Sequence, residues 1–312
     1  MEADRSLRPA TPLWRSYALL ALVMLLWSGN MIVGRAVRGD IPPFTLAFVR
    51  WTIATLVALP IVWRHIVADR SILLAAWPRL LLLGLTGVAA FNSLIYSGLR
   101  HTTASNALLL QAAIPTFVLV FNLLIFRQKS VFTEMLGVVF STVGVASIVL
   151  HGTPANIMHM AFNPGDLLVL LAVICWAAYT SLLRIRPECH ASSFLIVTFA
   201  IGIVVTGLLA MTEVSAIAQM RFSWRLLGGC VYVALFPSLI AYALYNAAVA
   251  AIGAAKAGQT ISLMPLFGSL LAAALLGEQL HSYHFFGMAL ILSGIVTAAL
   301  PGRSVRGADA GA

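Results

Sequence analysis

The two halves of this 312-residue chain repeat one another at a nearly constant offset. Ala104, Ala107, Pro115, Phe117, Gly137, Gly144 and Leu150 recur 150 positions later as Ala254, Ala257, Pro265, Phe267, Gly287, Gly294 and Leu300. Toward the start of the halves the offset is 149, so that Trp27 answers to Trp176 and Arg35 to Arg184. Helix-breaking Pro and small Gly residues held in register across five apolar segments point to a duplicated unit. A unit that crosses a bilayer five times ends on the side opposite its start, so its copy must insert upside down. Inverted repeats of that kind hold a ligand near the midplane between the halves and are the architecture of alternating-access transporters.

Composition supports the membrane reading. Charged residues are 9% of the chain and apolar ones 61%, against roughly 25% and 45–50% in soluble domains. A spanning helix needs about 20 apolar residues to cross a hydrocarbon core of about 30 Å. The sequence predicts ten, at 17–37, 44–63, 80–99, 103–126, 131–150, 166–185, 192–211, 224–248, 253–276 and 282–300. The expected fold is therefore all-α and integral to the membrane, with ten transmembrane helices as two inverted five-helix repeats. Residues 1–16 read as a cytoplasmic tail, 17–150 as the first repeat, 151–165 as an outer linker, 166–300 as the second repeat and 301–312 as another cytoplasmic tail. The apolar run after the first tail is too long for a signal-peptide core and lacks a cleavage signature.

The net charge of +9 raises the question of a nucleic-acid partner. The bases are scattered singly over loops and form no stripe or recognition motif, which argues against one. With the N-terminus inside, thirteen Lys and Arg fall on the inner side, among them Arg64, Arg127, Lys129, Arg184 and Lys256. Arg35, Arg38, Arg100, Arg221 and Arg225 fall outside, five in all. That imbalance places both termini in the cytoplasm of a multi-pass cell-membrane protein. Cys175, Cys189 and Cys230 are odd in number and widely spaced, so neither a disulfide framework nor a metal site is expected.

Polar side chains inside spans are costly in hydrocarbon and turn toward a bundle interior or a watery cavity. Trp27 and Asn30 share a face of the first span, and their counterparts are Trp176 and Tyr179. Asn92 and Tyr96 in the third span answer to Tyr242 and Asn246, the same pair with the residues exchanged. Gln111 and Gln259 add one amide each to the fourth and ninth spans. Matched aromatic and amide groups indicate a pocket between the halves, although Trp and Tyr also form interfacial belts and amides also tie helices together.

Arg50 falls about seven residues into the second span, roughly 10 Å from its outer end. Two readings stand: a side chain that snorkels outward or pairs with Asp40, or a cationic anchor for a substrate carboxylate. All ten acidic residues lie in loops, tails or helix ends. Without a carboxylate in mid-span, a simple proton/cation antiporter is disfavoured. His281 and His284 are three apart but lack a third ligand, so they read as surface residues. Pro115 and Pro265 interrupt the fourth and ninth spans and Pro237 the eighth, each a point for a kink or hinge. Gly137, Gly144, Gly287 and Gly294 allow close helix packing.

These residues resemble the drug/metabolite transporter superfamily, in particular its ten-helix EamA-type members. The segments that carry the likeness are Trp27-Ser28-Gly29-Asn30, Phe48-Val49-Arg50, Gly165-Asp166 with Trp176, Met264-Pro265, and Leu276-Gly277-Glu278 followed by Gly287. The resemblance covers about residues 17–300 and implies an inner-membrane secondary transporter, exporting amino acids or related neutral or zwitterionic metabolites. A flippase or exporter of lipid-linked or drug-like substrates is the alternative; a membrane enzyme lacks an assembled nucleophile, paired acids or metal cluster. The implied partners are a small-molecule substrate and the lipid bilayer, with no cofactor. One departure is visible, since Gln128 stands where the second repeat has Glu278. That acid therefore reads as a helix-end residue and not as a coupling site.

Overall fold

The computed structural model describes residues 13–37, 39–102, 107, 110–150, 152–159, 163–276 and 279–300. Every regular element among them is helical. Helix α1 spans Leu13–Val37, α2 Pro43–Ala75, α3 Trp77–Gly98, α4 Ile114–Phe126 and α5 Phe132–Val149. In the second half α6 covers Pro164–Ile185, α7 Ala191–Ile217, α8 Trp224–Ile252, α9 Ala254–Gln259, α10 Leu263–Leu276 and α11 Ser282–Ala299. Eight of these helices are long and apolar enough to cross a membrane. The tail residues 1–12 and 301–312, together with Glu278, lie outside the described residues.

The expected spans that fall short stand at matched positions. Within 103–126 the continuous helix is α4, which a turn at Ala112 and Ala113 precedes. Within 253–276 the chain forms α9, a 3-10 turn over Thr260–Ser262, and then α10. Pro115 and Pro265 each sit in the first turn of the helix after the break, where a missing N–H leaves no intrahelical bond unmade. These prolines thus begin helices; the interruption precedes them. Helix α2 departs the other way, running 33 residues where 44–63 was expected, because no residue from Arg64 to Ala75 forces a stop before Pro78.

Helices α3 and α8 widen into π-helical turns at Gly84–Ala90 and Leu235–Ile240. Gly87 and Pro237, one in each turn, are 150 positions apart. Pro237 has no N–H to give the Val233 carbonyl four residues back, and Ser238 Oγ donates to that carbonyl instead. Wide turns of this kind concentrate at functional sites.

The tightest helix pair is α5 against α11. An added Cβ on Gly137 would lie 2.6 Å from the Gly294 carbonyl oxygen, and one on Gly144 would lie 2.7 Å from that of Gly287. Only glycine permits such an approach, in which dispersion and Cα–H contacts replace side-chain packing. Caps fix other ends. Asn163 Oδ1 accepts from Gly165 N at 2.7 Å while Asp166 Oδ2 accepts from Asn163 N at 2.8 Å, a reciprocal box that starts α6. Glu213 joins the halves by accepting from Thr45 N at 2.8 Å and Phe44 N at 3.2 Å at the positive end of α2.

Candidate functional site

Arg50 is the largest departure from apolar burial in the molecule's interior, with 2% of its surface exposed. Its guanidinium neither snorkels nor reaches Asp40. Nη1 donates to Asn92 Oδ1 at 2.8 Å and to the Tyr96 hydroxyl at 2.7 Å, both on α3. Nε donates to Ser238 Oγ, and Nη2 lies 3.5 Å from the Pro237 carbonyl oxygen, both in the π turn of α8. The guanidinium carbon stands 4.5 Å from the centre of the Trp51 ring. Every one of these partners is uncharged. Removing a cation from water costs several kcal/mol even after relaxation, and hydrogen bonds to a charged group each return about 1.5–3 kcal/mol. Neutral partners therefore hold the charge in place without cancelling it.

An aromatic wall faces this charge. Trp27 and Trp176 meet edge to face with ring centres 5.0 Å apart, and Tyr242 stands edge-on 5.4 Å from Trp176. Their polar ends reach the two π turns. Trp27 Nε1 donates to the Pro237 carbonyl at 2.9 Å, and the Tyr242 hydroxyl donates to the Gly87 carbonyl at 2.7 Å. Gly87 admits this arrangement because a Cβ there would fall 2.3 Å from the Tyr179 ring. Asn92 Nδ2 closes the circuit by donating to Val88 O at 3.0 Å and to the Tyr242 hydroxyl at 3.2 Å.

Trp27, Asn30, Arg50, Asn92, Gln111, Trp176 and Tyr242 line one cavity, closed on its apolar side by Phe91, Ile114 and Met264 among others. Its volume is about 30 Å³, room for a water or two, so a substrate fits only when the helices part. Tyr96 stands behind this lining, donating to Asn30 Oδ1 at 3.2 Å. Tyr179 and Asn246 lie about one helical turn beyond, where the Tyr179 hydroxyl donates to Asn246 Oδ1 at 2.8 Å. Gln259 is elsewhere. Its Nε2 donates to Gly137 O at 2.8 Å and Ser141 Oγ at 2.6 Å, tying α9 to α5.

The chain matches the EamA-like transporter family twice, over residues 14–150 and 163–300. It belongs to that family. Both matches follow the sequence repeat, and this EamA member is thus a multi-pass membrane transporter. Similar proteins include an "Uncharacterized transporter" of Archaeoglobus fulgidus, 26% identical over 90% of this chain and 96% of its own. The "Uncharacterized transporter YetK" of Bacillus subtilis is 25% identical over 90% of this chain and 85% of its own. A crystal structure shares the fold, with a TM-score of 0.69 over 92% of this chain and 96% of that one at 18% identity.

Sequence reasoning missed several residues that join this arrangement in the EamA member. Ser238 holds the guanidinium, and the signal available was its place directly after the helix-breaking Pro237. Tyr245, three residues after Tyr242 and fully buried, shares a hydrogen bond of 3.0 Å with Thr180. Ser28 Oγ donates to the Met264 carbonyl at 3.0 Å, which joins α1 to the first turn of α10. His281 and His284 form a cap: His284 Nδ1 accepts from His281 N at 2.9 Å. No group of three or more metal-ligating side chains occurs among the described residues.

Proposed function

We propose that this protein is a secondary transporter of small carboxylated zwitterions, amino acids or close relatives, working by alternating access between two inverted five-helix repeats. The observation that carries the substrate class is Arg50, a permanent cation lining the central cavity with only neutral groups as its described partners. A carboxylate takes two parallel hydrogen bonds from a guanidinium, and in a water-poor cavity it supplies the countercharge that Asn92, Tyr96 and Ser238 do not. The aromatic wall of Trp27, Trp176 and Tyr242 receives the rest of the molecule, with Asn30 and Gln111 as amide partners. Inversion is supported by reciprocity: Gly137 meets Gly294 and Gly144 meets Gly287, so each glycine touches the counterpart of the other. Two-fold related segments pack in this way. The breaks before Pro115 and Pro265 and the π turns at Gly87 and Pro237 are the matched hinges about which the halves rock, and both termini lie in the cytoplasm.

Uptake or efflux of radiolabelled amino acids by proteoliposomes tests the reading. For a transported amino acid, Arg50→Lys raises the apparent KM about tenfold, since a point charge replaces a bidentate fork, and Arg50→Gln raises it further. Unchanged apparent affinity in a well-folded Arg50→Gln protein removes the anchor, and transport confined to organic cations removes the substrate class.

A further inference from the structure

Beyond the central cavity, toward Arg184 and Gly253, a second and much larger space of about 590 Å³ opens between α6, α8 and α9. Asn246 and Ser181 form part of its lining, together with Arg184, Arg186, Glu188 and Cys189. Arg184, Arg186, Glu134 and Glu188 give the lining two cations and two anions. The charges of this lining balance, which suits a zwitterion better than a free ion of either sign. Asn246 lines this vestibule and not the central cavity, one helical turn after the cavity residue Tyr242 on α8. Its Oδ1 takes the Tyr179 hydroxyl at 2.8 Å, but its Nδ2 is buried and has no acceptor among the described residues. Buried amide N–H groups almost always have one, so a donor left open beside a large polar space marks a place for an oxygen from outside.

We infer that the vestibule is a second substrate site, separate from the Arg50 cavity, where Asn246 Nδ2 donates to the carboxylate of an arriving zwitterion. Tyr179, Tyr245 and Trp176 stand between the two sites, all buried, with the bonds of Tyr179 to Asn246 and of Thr180 to Tyr245 holding that partition shut. The substrate thus meets Asn246 on one side of the partition and Arg50 on the other. This inference rests on the carboxylated-substrate reading above, and its test separates the two.

Cys189 lines the vestibule and serves as the reporter once Cys175 and Cys230 are replaced by Ala. The rate of its alkylation by a water-soluble maleimide is measured on the full chain in nanodiscs. Added solutes are L-alanine, propionate and propionamide, with ethylammonium as the control that lacks an acceptor oxygen. L-alanine is expected to slow labelling at least threefold, the two simpler acceptors less, and ethylammonium not at all. Asn246→Asp keeps the acceptor for Tyr179 but loses the donor, so L-alanine no longer protects; Asn246→Leu gives the same loss where the Asp variant folds poorly. Arg50→Gln leaves protection intact even where transport is lost, which distinguishes failure of the central anchor from failure of the vestibule site. Labelling unaffected by L-alanine, slowed equally by ethylammonium, or still slowed in both Asn246 variants overturns the inference.

Discussion

Asn92 donates a hydrogen bond of 3.2 Å to Tyr242, the residue that stands 150 positions after it. Two matched positions touch each other only where the repeats meet, so this pair lies at the junction of the halves, as do Trp27 and Trp176 with ring centres 5.0 Å apart. A second relation follows from the first. Tyr96 donates to Asn30 in the first half and Tyr179 to Asn246 in the second. These are the same bond between matched positions, with Asn and Tyr exchanged at both ends.

Tyr242→Phe keeps the ring against Trp176 and removes only the hydroxyl. The Gly87 carbonyl loses its side-chain donor and Asn92 Nδ2 loses one acceptor. The expected loss of stability is about 1–3 kcal/mol, the usual cost of an unmade buried hydrogen bond. Thermal unfolding in detergent, followed by size exclusion, reads it. A Tm equal to that of the wild type would mean that water replaces the hydroxyl fully.

The α5–α11 pair predicts a larger effect. Gly144→Val sets a branched side chain against the Gly287 carbonyl and Ile291, where even one Cβ lies 2.7 Å from the carbonyl oxygen. Overpacking of this kind costs about 1–3 kcal/mol or more. The yield of monodisperse protein should fall sharply. Gly228→Val, at a position with nothing within 4 Å of an added Cβ, is the matched control and should express normally.

Topology is testable through reporter fusions. Fusions near residues 155 and 280 are expected to report the outside and those near 70, 128 and 312 the cytoplasm. The imbalance of basic residues sets this orientation. Positions 128 and 280 reporting from the same side would contradict the inverted repeat.

Burial raises the Cys189 thiol above its ordinary range, and the nearby Asp69 carboxylate adds to the shift. The thiolate is the reactive form, so below the pKa its alkylation rate climbs about tenfold per pH unit. The rate should therefore still be rising at pH 9, after the ordinary thiol value has been passed. Asp69→Asn should quicken labelling at pH 8. A plateau below pH 9 would place the thiol in an open, unperturbed setting.

The helical, membrane-embedded character was legible in the sequence because it rests on local quantities, the apolar fraction and the spacing of breaks. The repeat was legible too, and with it the matching of Trp27 to Trp176 and of Asn92 to Tyr242; that these counterparts touch each other came only from the tertiary structure. Which polar residues share one cavity was a tertiary outcome. Gln111 reaches the cavity while Gln259 ties α9 to α5, yet both are single amides in apolar spans and nothing local separates them. Arg50 shows the same limit. A charge within a span has to be satisfied, but whether water, Asp40 or the interior does so depends on which helices stand beside it. The π turn at Pro237 decides it, by bringing Ser238 and a carbonyl within reach of the guanidinium. The repeat does not carry the charge across: Phe199 and Ala200 stand 149 and 150 positions later. Duplication thus set the symmetric frame, while the Arg50 charge inside it depends for its place on contacts between helices far apart in the chain.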